Sequence, residues 1–241
     1  MKVVILAAGS GSRLRPLTDH TPKCLLTVGG KTILGRMLEN LQANGLQEII
    51  IVTGYLEEQI RTFTAENFPE LDIRFINNDR FDTTNNIFSL YLAKDAVGDQ
   101  PMLMMDSDIV FDHRILLELL QSGYENCLAL QRHPLGSEEI KVLADERGWV
   151  LEISKEVKPD IALGESIGIE LFGNPMRAEL FRVLDRMVNQ ERKVDIFYEA
   201  AFQELIDRGF GLHVVDITRY FCTEIDTPDD LRKAGEIIMS R

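Results

Sequence analysis

Val3-Val4-Ile5-Leu6-Ala7-Ala8-Gly9-Ser10-Gly11-Ser12-Arg13-Leu14-Arg15-Pro16-Leu17-Thr18, with Pro22-Lys23 close behind, decides the reading of this chain. The apolar run predicts a buried strand that feeds a glycine-rich loop. Such a loop exposes backbone N–H groups, and Arg13, Arg15 and Lys23 add charge that bare amides lack. The segment reads as a site for a polyanion, a nucleoside triphosphate above all. The plainer alternative is a tight strand-to-helix turn with scattered surface cations, which leaves the clustering of three cations to accident. Neither common nucleotide signature fits. A P-loop needs Lys and Ser/Thr after its last glycine, whereas Gly11 precedes Ser12-Arg13. A dinucleotide fingerprint needs a third glycine where Leu14 stands.

The chain has 241 residues, the length of one large domain, and its hydrophobic content of 45% supplies a full core. No apolar run reaches the roughly 18 residues of a membrane span. The N-terminus enters a strand at once and is broken by Gly9, unlike a signal peptide, so a cytoplasmic protein is expected. Cys24, Cys127 and Cys222 are odd in number and widely spaced, which predicts buried free thiols, with a reactive Cys24 beside Lys23 as the lesser option. The formal charge of −13 argues against a long nucleic acid as partner, but not against one nucleotide in a local basic pocket.

Strands and helices alternate, as in a sheet with crossover helices. Strands are predicted at 2–7, 48–53, 72–77, 101–105 and 127–131, and helices at 33–44, 57–66, 86–93 and 114–121. The rhythm then changes. Residues 141–144 and 149–154 read as antiparallel strands around a turn, and 166–172 as another strand. A helix at 174–188 has Pro175 at its favoured start, a second at 196–208 ends at Gly209, and a strand at 212–216 precedes a terminal helix at 228–239. We read an α/β fold: a Rossmann-like, mainly parallel mixed sheet flanked by helices, with a small antiparallel insertion. Residues 1–241 form one domain in this reading, about 1–135 serving the nucleotide and about 136–241 the acceptor.

Ligands of open parallel sheets bind beyond the carboxyl ends of strands. The apolar strand ending in Asp106-Ser107-Asp108 places paired acids there, which suits a hard cation such as Mg2+ or, more plainly, a turn cap. Asp226, in Glu224-Ile225-Asp226-Thr227-Pro228, reads on its own as a residue at a helix entry.

The string from Leu6 to Thr18 with Pro22-Lys23 resembles the signature of nucleotidylyltransferases, enzymes that join a nucleoside triphosphate to a phosphorylated small molecule. The resemblance runs from Lys2 to about Ala234 and implies the nucleotide-diphospho-sugar transferase fold. It implies Mg2+ held by Asp108 and Asp226, with Asp106 adjacent. It also implies in-line attack of an acceptor phosphate oxygen on the α-phosphorus, with Arg13 on the β- and γ-phosphates and Lys23 toward the α-phosphate. Leu6, Ala8, Gly9, Ser10, Gly11 and Ser12 would line the nucleotide site. Little covalent work falls to the protein, which must align two anions and offset their charge.

Thr84-Asn85-Asn86-Ile87-Phe88-Ser89-Leu90-Tyr91-Leu92 resembles a segment of bacterial phosphocholine-type cytidylyltransferases. There Asn85, Asn86 and Ser89 would face the base of CTP, whose pyrimidine edge needs both donors and acceptors. Asn85 can equally be a helix cap. Val194-Asp195-Ile196-Phe197-Tyr198-Glu199 resembles the acceptor-pocket segment of the same enzymes. Aromatic faces with Asp195, Tyr198 and Glu199 suit a cationic headgroup; a buried Phe197 and an Asp195 cap are the plainer reading. Lys155 is expected near the acceptor phosphate by the same resemblance, although the family's Glu-Lys-Pro motif is not intact here. Lys141 is its rival, and Glu165 a further acceptor-site candidate.

The expected activity is therefore Mg2+-dependent cytidylyl transfer from CTP to phosphocholine, 2-aminoethylphosphonate or a similar small acceptor, with release of pyrophosphate. A sugar-1-phosphate or inositol-1-phosphate nucleotidylyltransferase using another NTP is the enzymatic alternative. A catalytically silent nucleotide-binding regulator is the non-enzymatic one. Nothing in the sequence excludes an oligomer.

Overall fold

The computed structural model describes residues 1–240. Strand β1 (Lys2–Ala7) is the apolar run ahead of the glycine loop. Two dipeptide strands, β2 (Thr27–Val28) and β3 (Lys31–Thr32), form a small hairpin that leads into α1 (Ile33–Ala43). Thr32 caps α1 by accepting a 3.0 Å bond from the Gly35 N–H, and the chain turns away at Gly45. Next come β4 (Glu48–Thr53), α2 (Glu57–Asn67), β5 (Asp72–Asn77), α3 (Asn86–Leu92) and the single turn α4 (Lys94–Val97). Strand β6 (Met102–Asp106) carries the acidic strand end and is followed by β7 (Ile109–Phe111), α5 (Arg114–Gln121) and β8 (Cys127–Gln131).

The second half contributes β9 (Lys141–Ala144), β10 (Val150–Ser154), the long β11 (Gly164–Phe172) and α6 (Asn174–Asp185). A π-helical turn, Arg186–Gln190, extends α6 past the expected end at residue 188. Helix α7 (Glu199–Asp207) starts three residues later than the apolar spacing suggested. Asn85 donates its N–H to the Val194 carbonyl, and Asn86 Oδ1 accepts from the Tyr198 N–H, so the 194–198 stretch is held outside the helix. The chain closes with β12 (His213–Asp216), β13 (Cys222–Glu224) and α8 (Pro228–Met239), whose Thr227 and Asp230 form a reciprocal capping box.

The main sheet has the order β10-β9-β11-β6-β1-β4-β5, with β8 paired to β11 and β12. β5, β4, β1 and β6 run parallel, and β11 joins β6 antiparallel. The antiparallel strands β11, β9 and β10 thus continue the same sheet from β6 out to one end of the order. Side chains alternate along β1: Val4 and Leu6 enter the core beneath α3, α6 and α7, while Val3, Ile5 and Ala7 enter the core beneath α1, α2 and α5. Both faces are covered, which is why the strand is apolar from Val3 to Ala7. Among the described residues no helix is long and apolar enough to cross a membrane.

Candidate active site

The loop after β1 wraps one end of a cleft of about 570 Å³ at the carboxyl ends of β1 and β6. Gly11 sits in the left-handed region (φ 61°), and a Cβ there would meet Lys23 Cβ at 3.0 Å and Thr18 Cγ2 at 3.1 Å. Thr18 Oγ1 donates to the Gly11 carbonyl at 2.8 Å, closing the turn. Glycine is required because the loop must both bend and pack against the lysine segment. Leu6, Ala8, Gly9, Ser10, Gly11, Ser12, Arg13 and Lys23 all line the cleft. Arg15 instead leans toward Asp19 at 3.5 Å and is not among the lining residues.

Lys23 Nζ donates to Asp108 Oδ2 at 2.6 Å and to Asp226 Oδ1 at 2.7 Å, and Arg13 Nη2 lies 2.8 Å from the same Asp226 oxygen. Burial pulls the Lys23 pKa down, but the two carboxylates outweigh it and the net shift is upward. Burial likewise opposes the Asp226 charge, and Lys23 and Arg13 turn its net shift downward. Asp226 reaches Asp108 through a two-stranded sheet. β13 pairs antiparallel with β7, and the Ile225 N–H donates to the Asp108 carbonyl at 2.9 Å. Neighbouring Cys24 is buried, and its thiol is pushed up to about 12 by that burial, which leaves it inert at neutral pH.

A second acidic group lies deeper. Asp106 accepts a 2.7 Å bond from the Tyr198 hydroxyl, yet loss of hydration and the nearby Asp108 raise its pKa well above the usual carboxylate range. Gly168 makes room for it. That residue has φ 67° inside an irregularity of β11, and a Cβ there would stand 2.5 Å from Asp106 Oδ2. Glu170 is fully buried, takes a 3.0 Å bond from Ser166 Oγ, and among the described residues leaves Oε2 without a partner; burial raises its pKa strongly. Burial and the surrounding acids raise Glu224 in the same way.

One wall is formed by Asn78, Phe81, Thr84, Asn85, Asn86 and Ser89. Asn78 is the hub behind it. Its Nδ2 donates to Ser89 Oγ at 3.0 Å and to Thr84 Oγ1 at 3.2 Å, and its Oδ1 accepts from the Arg80 N–H. Asn85 both caps α3 and faces the cleft, so the cap and site readings coexist.

The opposite end is lined by Glu138, Glu139, Ile140, Lys155, Glu165, Phe197 and Glu199. Lys155 Nζ sits 4.8 Å above the Phe197 ring and 3.5 Å from Glu138. Glu165 Oε2 lies 2.6 Å from His133 Nε2, and burial raises its pKa despite that partner. Glu199, at the start of α7, is 7% exposed, and its Oε2 has no hydrogen-bond partner among the described residues. Burial pushes its carboxyl up to about 7.

Three expected acceptor residues lie elsewhere. Lys141 is 1% exposed and donates to the Gly136 and Glu139 carbonyls at 3.3 and 3.1 Å, so it braces the loop rather than lining the cleft. Asp195 is exposed and outside the lining set. Tyr198 is buried and outside the lining set, and it reaches the site through its bonds to Asp106 and Asn86. Asn78, Glu138, Glu139 and Glu224 escaped the sequence reading. Asn78 had a usable signal, since it directly follows the parallel strand β5, and so did Glu170, the one acid in the apolar run 167–172.

Among the described residues no three metal-ligating side chains form a ready cage. Two convergent aspartates of hard oxygen character nonetheless fit Mg2+, which commonly takes one or two carboxylates and fills its shell with water and substrate phosphates.

The model of the MobA-like NTP transferase domain matches residues 3–160, a span holding the glycine loop, Lys23, Asp106, Asp108 and Lys155. The chain belongs to this family. The relatives of this NTP transferase carry the likeness further along the chain. The choline-phosphate cytidylyltransferase of Streptococcus pneumoniae is 29% identical over 238 residues, covering 99% of this chain and 98% of the relative. The CTP:phosphoglutamine cytidylyltransferase of Campylobacter jejuni is 28% identical over 253 residues, covering 96% and 98%. The solved structure of CTP:phosphocholine cytidylyltransferase from Streptococcus pneumoniae superposes with a TM-score of 0.80 at 26% identity, over 98% of both chains.

Proposed function

We propose that this nucleotidyltransferase is a Mg2+-dependent cytidylyltransferase. It transfers CMP from CTP to a small phosphorylated or phosphonylated acceptor bearing an amino or ammonium group, such as phosphocholine or 2-aminoethylphosphonate, and releases pyrophosphate. One observation carries the reading: a single lysine ammonium joins Asp108 and Asp226 in the same cleft that the glycine loop and Arg13 line. Near-full-length likeness to two CTP-using enzymes supports the choice of nucleotide.

The 9–12 loop and Arg13 would hold the β- and γ-phosphates, and Lys23 the α-phosphate. Asn85, Asn86 and Ser89 would face the base. Asp108 and Asp226 would hold Mg2+, which when bound neutralises phosphate charge. The acceptor phosphate is ionised at neutral pH, so its oxygen attacks the α-phosphorus without a general base, and pyrophosphate departs. Lys155 would meet the acceptor phosphate, and Glu165 and Glu199 its cationic end. Three free, buried cysteines suit a reducing compartment, and we place the protein in the cytoplasm.

The test is incubation with each of four NTPs and a panel of phosphorylated acceptors while pyrophosphate is measured. Release with CTP and an amino-phosphate acceptor is expected. A preference for another NTP with a sugar phosphate would reject the reading.

A further inference from the structure

Glu199 is placed rigidly. It occupies the first position of α7, whose Ala201 and Phe202 are fully buried. The preceding residue is fixed at both ends, since the Tyr198 N–H donates to Asn86 Oδ1 at 2.9 Å and its hydroxyl to Asp106 Oδ2 at 2.7 Å. Glu199 lines the cleft while buried, and among the described residues its Oε2 has no hydrogen-bond partner. A buried polar atom in this state lacks a donor, and a ligand entering the cleft can bring one. Lys155 attracts Glu199 but forms its ion pair with Glu138.

Aromatic surface is scarce in the same cleft. Among the described residues lining it, only Phe81 and Phe197 are aromatic. Phe81 lies at the glycine-loop end, where a Cβ on Gly54 would meet both its Cβ at 2.8 Å and the Ala8 carbonyl at 2.9 Å. Phe197 stands at the Glu199 end, and Lys155 already lies over its ring. A quaternary ammonium has no N–H to donate and depends on free aromatic faces for recognition. A primary ammonium brings three donors.

From this juxtaposition of a buried carboxylate with one unpartnered oxygen and an aromatic ring already covered by Lys155, we infer that the acceptor carries a primary, hydrogen-bonding ammonium rather than a trimethylated one, and that Glu199 selects it. The inference rests on the cytidylyl-transfer reading above and narrows its acceptor class. A site built around an N–H donor rejects an analogue lacking it more strongly than an apolar pocket rejects an extra methyl group.

The experiment is a methylation series. Phosphoethanolamine and its N-methyl, N,N-dimethyl and N,N,N-trimethyl forms are supplied with CTP, and pyrophosphate release gives kcat and KM for each. The expected result is a stepwise fall in kcat/KM, about tenfold or more from first to last, carried mainly by KM. In Glu199→Gln, checked for native unfolding behaviour, the ratio between first and last should shrink toward one. The wild-type series stands even if that variant fails to fold. Equal or better use of the trimethylated form, or an unchanged ratio in Glu199→Gln, overturns the inference and leaves cytidylyl transfer intact. If CTP is consumed only with an acceptor lacking nitrogen, the inference is likewise overturned. If no acceptor releases pyrophosphate from CTP, the proposed function falls with it.

Discussion

Lys23 Nζ bridges Asp108 Oδ2 and Asp226 Oδ1 at 2.6 and 2.7 Å, so one ammonium joins three segments that are far apart in the chain. Without it two carboxylates would face each other in a half-buried setting. With it, and with Arg13 on Asp226, their charges are offset by two cations.

Removing either end of that contact should stop the chemistry. Lys23→Ala and Asp108→Asn are each expected to cut kcat by about a hundredfold or more, the scale for losing a preorganised charge at a transition state. Steady-state pyrophosphate release checks this. A near-normal rate in either variant removes that residue from the reacting centre.

Arg13 should behave differently. Its side chain is 60% exposed and its ion pair with Asp226 is a surface contact, so Arg13→Ala should change stability by no more than about 0.5 kcal/mol. KM for CTP should rise about tenfold, because a charge-assisted bond to phosphate is lost. Comparing the melting temperature with the nucleotide KM separates the two effects; an unchanged KM would place the triphosphate elsewhere.

Gly168→Ala tests how Asp106 is seated. The new methyl group would enter at positive φ and within 2.5 Å of Asp106 Oδ2. The backbone strain alone costs about 1–2 kcal/mol. Denaturant unfolding should show a loss at least that large, together with slower turnover as the Asp106–Tyr198 bond is displaced. Wild-type stability would mean that the β11 irregularity is not needed.

Glu170 makes stability depend on pH in an unusual direction. Its pKa is raised by burial from an unfolded value near 4.5, so the folded protein keeps a proton that the unfolded chain releases. The stability this group contributes is full below about 4.5 and is lost as pH rises toward the folded value. Glu170→Gln removes the ionisation, so it should be near neutral at pH about 4.5 and stabilising at pH about 8. Thermal melts at both values decide this; equal shifts at the two would contradict it.

Chelation should abolish pyrophosphate release, and Mg2+ should restore it. In Asp226→Asn the Mg2+ concentration for half-maximal rate should rise tenfold or more, since even partners outside the first coordination shell change metal affinity by about 10–100-fold. Full activity in the presence of chelator would argue against a metal at these aspartates.

The parts of the fold visible in sequence were those with strong local signatures. The apolar runs of β1, β4 and β6 could only be strands buried on both faces, and Gly9, Gly11 and the paired acids marked their ligand-facing ends. The placement of Asp226 was not visible physically, because β7 and β13 have three residues each and no periodicity to read. The resemblance supplied what local pattern could not. Lys141 was a candidate because an acceptor phosphate needs a cation, whereas two loop carbonyls hold its ammonium inside the protein. Asp195 was tied to the site by its neighbours in sequence, but the backbone bonds that delay α7 leave it facing outward.

The most direct measurement of the central claim is a crystal structure with CTP and Mg2+. The triphosphate should lie on the 9–12 loop, with Arg13 and Lys23 on its phosphates and the metal between Asp108 and Asp226. A triphosphate bound away from that loop, or a metal held by neither aspartate, would contradict the account.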